Sequence, residues 1–229
     1  MSNDLIFVQW STPDAWHVMT DDRKYVLLGS PDENIRFEVN IDGSENKAGI
    51  TGRNLFSDDP EQGYNPFLVQ KLDKLSPKCQ IVEIGAGMGE LVPYLIRQGN
   101  VETPPIVVDP ADYGLMIRML EYARLHVPDE RERLDELSER CKIISDPAKV
   151  TLINNPLLDV LPESISCLTG GDILVDNWGA AHCAYQLGED QYNEVIAMEI
   201  RLLRQGGIYY SQWPGKPRIR KGDKLVKIE

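Results

Sequence analysis

The stretch VEIGAGMGELVPYLI, residues 82–96, decides the fold. A short apolar run leads into Gly85, Gly87 and Gly89, and a second apolar run with helical spacing follows. That order predicts a buried strand, a tight turn and a helix. Glycine permits positive φ and lets another group approach the backbone closely. The start of a helix offers free N–H groups and a positive dipole end. The turn therefore predicts a ligand lying across it, at the carboxyl end of the strand. Glu83 places an acid just ahead of that turn.

Outward from this stretch the pattern alternates. QIVEIG, PPIVVDP, KVTLIN, GDILVDNW and GIYYSQW read as five strands. Helices are predicted over about 90–98, over ADYGLMIRMLEYARLHV, over the charged DERERLDELSER, and over DQYNEVIAMEIRLLR, the last ended by Gly206 and Gly207. DERERLDELSER reads as a solvated helix surface. Strands alternating with helices imply right-handed crossovers and a parallel sheet covered on both faces. The expected class is α/β, a doubly wound and mostly parallel sheet. Pro66 opens a helix over about 66–75. Before it, KYVLLG and IRFEVNI flank the turn-forming SPDEN, and Ile35, Phe37, Val39 and Ile41 alternate as in a half-buried strand. The expected division is a β-rich extension, residues 1–65, and a ligand-binding domain, residues 66–229.

The chain has 229 residues and a formal net charge of −12. Such a charge opposes nonspecific attraction to nucleic acid and anionic membranes. The basic C-terminal stretch KPRIRKGDKLVKIE is a small exception. Cys79, Cys141, Cys167 and Cys183 show neither C-x-x-C nor metal-ligand spacing. They read as buried free thiols in a reducing, cytoplasmic setting. The N-terminal MSNDLIFVQW does not read as a signal peptide, and no apolar run approaches the ~20 residues of a bilayer span.

The glycine spacing separates two ligand classes. A dinucleotide fingerprint requires Gly or Ala at position 90, where this chain has Glu90, an acid that would repel a pyrophosphate. The observed G-x-G-x-G with Glu83 ahead of it resembles the first motif of class I S-adenosyl-L-methionine (SAM) dependent methyltransferases. The resemblance runs through residues 79–213. It implies a Rossmann-like methyltransferase fold, SAM as cofactor, and cofactor contacts from Glu83, Gly85, Ala86, Gly87 and Gly89. It implies that Asp109, followed by Pro110, points into the cleft and holds the two ribose hydroxyls. Asn154 and Asn155, or alternatively Asp146, would meet the adenine. Asp176 and Asn177, at the end of the fourth strand, would face the methionine part and the substrate, with Trp178 beside them. LLRQGGIYY resembles the family's late turn into strand five.

The resemblance also implies the chemistry. Methyl transfer from a sulfonium needs a nucleophile positioned behind the methyl group. An oxygen or nitrogen nucleophile can also need a base. His182, six residues after Asp176, is the candidate base, and Asp176 the second candidate catalytic residue. Asp172 reads as a solvated residue ahead of the strand. Half the ligands of the metal-dependent catechol type are missing, because Ser211 and Gln212 end strand five, so no metal site is expected. The nucleobase-methylating signature is also absent after strand four. Trp10, Trp16, Tyr25 and Tyr64 form either a lid or substrate wall, or plain core, and residues 1–65 otherwise serve as a subunit contact. Only PGKPRIRKGDKLVKIE follows strand five, so the C-terminus is shortened. Either a hairpin around KGD or the N-terminal strands would complete the sheet edge. The expected activity is SAM-dependent methylation of a small molecule, by a chain that pairs with a second copy of itself. A macromolecular acceptor and a silent methyltransferase-like scaffold are the alternatives.

Overall fold

The computed structural model describes residues 4–9, 15–30, 33–40, 47–59, 63–99, 101–160, 170–176, 179–211 and 215–228. These residues form six α-helices and two β-sheets. Trp10, Ile41, Cys167, Asn177, Trp178 and Gln212 lie outside the described residues.

The larger sheet has seven strands: β6 (Ile81–Ile84), β7 (Ile106–Val108), β8 (Thr151–Ile153), β9 (Gly171–Asp176), β10 (Leu203–Ser211), β11 (Arg218–Lys221) and β12 (Lys224–Lys227). Their order is β12-β11-β10-β9-β6-β7-β8. The five strands from β8 to β10 are parallel, and β11 and β12 add an antiparallel hairpin. The hairpin around Lys221–Asp223 therefore completes the edge. Strands β6 and β7 are short and buried at every position, as strands covered on both faces must be. The chain builds outward from β6 to β8, then returns to place β9 on the other side of β6. The switch point between β6 and β9 is where an open α/β sheet forms its crevice.

Helix α1 (Pro66–Val69) starts with proline in its first turn, and Asn65 Oδ1 accepts the Phe67 N–H at 3.1 Å. A separate 3₁₀ turn, Leu72–Lys74, continues the predicted segment. Helix α2 (Leu91–Arg97) joins β6 to β7. Helices α3 (Tyr113–His126) and α4 (Arg131–Ile144) join β7 to β8. The predicted stripe Leu115, Met116, Met119, Leu120 and Ala123 is buried. Helix α4 is not solvated all round: Leu134, Leu137, Arg140 and Cys141 are buried between charged positions. Helices α5 (Ala180–Leu187) and α6 (Glu189–Leu202) join β9 to β10. Gly206 and Gly207 do not end α6. It stops at Leu202, and the glycines make a bulge inside β10, where the register with β9 shifts between Leu203 and Ile208. Asp172 is likewise not simply solvated; its carboxylate accepts the Gln80 N–H at 2.7 Å and pairs with Arg204.

The N-terminal strands do not cover the edge of the large sheet. β1 (Leu5–Gln9), β2 (Trp16–Thr20), β3 (Tyr25–Ser30), β4 (Glu33–Asn40) and β5 (Lys47–Thr51) form their own antiparallel meander. One face packs on α3. Trp16, Val18, Leu27, Ile35 and Phe37 share a single core with Met116, Met119, Leu120, Leu134 and Cys141. Trp16 donates its indole N–H to Glu130 Oε1 at 2.6 Å and faces Gly29, where a Cβ would collide with the ring. Trp16 is thus a core residue, and the half-buried Tyr25, which stacks on Phe37, packs against the same core.

This shared core predicts one unfolding transition. Trp16→Ala removes a buried ring and the indole donor to Glu130 Oε1, a loss of about 3–5 kcal/mol. Urea denaturation followed by circular dichroism should show one transition shifted as a whole. A biphasic curve with only its first phase moved would make the meander an independent unit.

Candidate functional site

The glycine turn after β6 is closed by the protein itself. Gly85 and Gly87 have φ of +66° and +52°, a region L side chains rarely adopt. A Cβ on Gly85 would come within 2.7 Å of Gly179 Cα, in the turn after β9. A Cβ on Gly179 would meet Asp176 Oδ1 and the Ile84 carbonyl oxygen, each at 2.5 Å. A Cβ on Gly89 would collide with the Tyr64 hydroxyl. At Gly85 and Gly89, then, the neighbour that excludes side chains is Gly179 and Tyr64.

Among the described residues, four carboxylates are buried at this end of the sheet or just beneath it. Glu83, Asp109 and Asp176 are 2 % exposed and Glu199 is 0 % exposed. Glu83 Oε1 accepts the Tyr64 hydroxyl at 2.8 Å, while Oε2 has no partner. Asp109 does not hold its oxygens out to a cleft. Oδ2 accepts the Gly87 N–H at 2.6 Å and Oδ1 the Ala111 N–H at 2.8 Å. Asp176 is also turned inward, with Oδ1 on the Gly179 N–H and Oδ2 on the Ala181 N–H, both at 2.7 Å. The physical reason is the same in both places. Tight turns leave N–H groups without backbone acceptors, and the nearest carboxylate meets them with charge-assisted bonds.

Burial sets the electrostatics. It raises the Glu83 carboxyl to about 7, opposed by the Tyr64 bond and reinforced by the charge of Asp109. Asp109 is raised by burial and pulled back by the Gly87 and Ala111 N–H groups. Glu199 is raised well above the usual range by burial first and then by Asp176, which it faces together with Tyr209. One cation enters from residues before α1. The Arg53 guanidinium is lowered by its burial and held up by Tyr64, Glu83 and Asp176. Its carbonyl accepts from Arg140 Nη1 at 2.7 Å, and the Leu55 N–H donates to Glu90 Oε2 at 2.7 Å. Arg53 and Leu55 are thus pinned to α4 and to the head of α2, and Tyr64 lies against Gly89 of the glycine turn.

The other predicted site residues divide. Ala86 is buried inside the turn and Pro110 is exposed beside Asp109. Asn154 is exposed at the carboxyl end of β8; its Nδ2 donates to the Asp109 and Ala111 carbonyls at 3.1 and 2.5 Å. Asn155 follows it, exposed. Asp146, their alternative, lies in the turn before β8, at the opposite end of the strand, where it accepts the Ala148 N–H. His182 is the third residue of α5, half-buried, with Nε2 3.1 Å from Gln186 Nε2. Asn177 lies outside the described residues, and among those described no cluster of three or more His, Cys, Asp or Glu could hold a metal ion.

Arg53 and Glu199 escape the sequence reading. Arg53 sits in an irregular loop, where no periodicity marks a buried cation. Glu199 does carry a signal: it follows Val195 by four residues and precedes Leu202 by three, so it lies on the apolar stripe of α6. No family model matches the chain, and no curated protein matches its sequence.

The closure of the turn predicts an asymmetry between glycines. Gly99 has φ +67° with nothing near its missing Cβ. Gly99→Ala should cost only the left-handed strain, about 1–2 kcal/mol. Gly85→Ala adds overpacking against Gly179, typically about 1–3 kcal/mol more. Equal losses in urea denaturation would contradict the close approach.

Proposed function

We propose that the chain is a SAM-dependent methyltransferase with a Rossmann-like methyltransferase fold, acting on an oxygen or nitrogen atom of a small molecule. The observation that carries this reading is Glu83 Oε2, a buried acceptor without a partner, next to the glycine turn at the switch point between β6 and β9. Buried acids that outnumber the guanidinium named beside them, Arg53, suit a ligand bearing positive charge, and SAM carries an ammonium and a sulfonium. An orphaned carboxylate oxygen costs free energy until a donor reaches it.

The fit is uneven along the site. Glu83 suits the cofactor's ammonium. Asp109 offers no free oxygen to a ribose while it holds Gly87 and Ala111, so its role in this reading is to shape the turn. Asp176 likewise shapes the turn into α5. The cofactor supplies, when bound, an electrophilic methyl group. The chain's own task is to exclude water with Tyr64, Arg53 and Leu55, and to present the acceptor from the α5 side. His182 serves as proton acceptor only after leaving Gln186. A second reading, a methyltransferase-like scaffold without activity, is favoured by one observation: each carboxylate oxygen of Asp109 and Asp176 already accepts a backbone N–H group.

Calorimetric titration separates the readings. SAM should bind to the wild type and NAD should not. A cation placed on Glu83 favours its ionised form, so binding below pH 7 should release up to about one proton, read from heats in two buffers. Glu83→Gln should abolish that release and weaken binding. NAD binding without SAM binding would overturn the proposal.

A further inference from the structure

The C-terminal hairpin carries a charge pattern that its own fold does not neutralise. Residues 215–228 hold six lysines and arginines against one acid, Asp223, in a chain whose net charge is −12. Where β11 pairs with β12, Arg218 stands directly opposite Lys227, and Lys221 directly opposite Lys224. Like charges directly opposite each other on two strands destabilise the pairing. Among the described residues none of these four cations has an ion pair. Lys221, Lys224 and Lys227 are exposed, and Val226 beside them is 39 % exposed. Strand β12 ends the strand order, and lysines on such an edge oppose the addition of another strand. The hairpin therefore suits a partner met through side chains.

The complementary surface lies between α3 and α4. With the turn Pro128–Glu130 these helices form an open groove of about 840 Å³, lined by six acids and three bases. Glu121 pairs with Lys142 at 2.8 Å, Asp135 with Arg124 at 3.0 Å, and Glu136 with Arg97 and Arg140 at 2.7 and 3.0 Å. Asp129, Glu132 and Glu139 have no ion pair among the described residues, and the remaining base of the lining is Arg131. Glu132 and Glu136 are four residues apart on α4, as are Asp135 and Glu139, a spacing at which like charges repel. Ser138 lines the same groove, is 4 % exposed, and its Oγ has no hydrogen-bond partner. A buried hydroxyl left in that state is destabilising until a partner reaches it. A lysine ammonium brings three donors, which suit both this hydroxyl and the carboxylates around it. We infer that the α3–α4 groove takes the basic β11–β12 hairpin of a second copy of the chain. Strand β12 stands at one end of the sheet and β8, into which α4 leads, at the other, about 29 Å away at the usual strand spacing. The groove therefore meets another copy's hairpin and not its own. Two copies that exchange the contact reciprocally form a closed pair.

Sedimentation equilibrium of the full chain tests this pairing. At about 0.1 M salt the Debye length is about 10 Å, so repulsion between distant parts of two acidic chains is screened while charges in contact still act. Wild type should then show twice the 25.9 kDa mass of one chain, and about 1 M salt should shift it towards the single mass. A variant with Lys221→Glu and Lys224→Glu, and a second with Glu132→Lys and Glu139→Lys, should each associate at least about tenfold more weakly, because like charges then meet at the contact. All four positions are exposed, so the melting temperatures of both variants should stay near that of wild type. Mixing the two variants places opposite charges at both contacts again and should bring back the double mass. A wild type of single mass at about 0.1 M salt would overturn the inference, even if a lysine-rich peptide then bound the groove. A double mass that survives either charge reversal, or that mixing fails to bring back, would overturn it as well.

Discussion

A carboxylate taken out of water destabilises a fold unless something replaces its hydration, and this protein buries four at one end of one sheet and just beneath it. Each is met differently. Asp109 and Asp176 take the N–H groups of neighbouring turns, which need acceptors as much as the acids need donors. Glu199 faces Asp176 and Tyr209 with its carboxyl pushed well towards the neutral form. Glu83 has one bond from Tyr64 and one oxygen left over. The glycine turn, the turn after β9 and the burial of Tyr64 are each tied to one of these groups by a hydrogen bond.

The N-terminal residues therefore serve two tasks. The meander β1–β5 buries one face on α3 and extends the core. Described residues after it touch α4, β6 and β10. Arg140 holds their start at Arg53, Tyr64 reaches Glu83, and Asn65 Nδ2 donates to the Ser211 and Gly215 carbonyls at 3.0 and 2.6 Å. It thereby ties the entry to α1 to the end of β10 and the start of the C-terminal hairpin.

Much of the scaffold is legible in the sequence, because it rests on local periodicity. The strand at 81–84, the glycine turn, the apolar stripe of α3 and the hairpin around Gly222 are all local patterns. What is not legible is non-local. Gly85 meets a glycine 94 positions later, and no spacing within the motif reveals that neighbour. Asp109 ends an apolar strand in the sequence, but only the turn's placement shows its oxygens aimed at Gly87 rather than at solvent. Gly206 and Gly207 resemble a helix stop because glycine pairs serve both caps and bulges, and the pairing with β9 decides between them.

The central claim is that Glu83 is buried with an unmet oxygen. Its folded-state value, about 7, lies above the ordinary 4.5. In that window the folded protein binds a proton that the unfolded chain does not, so stability is fully present near the lower value and falls as pH rises through the upper. The most direct measurement is the unfolding free energy of wild type and Glu83→Gln by urea denaturation from pH 4.5 to 8. The difference between them should change by about 3 kcal/mol across the window, with wild type losing ground as pH rises. A difference that stays flat would mean that Glu83 keeps an ordinary, well-solvated carboxylate, and the account of this site would fail.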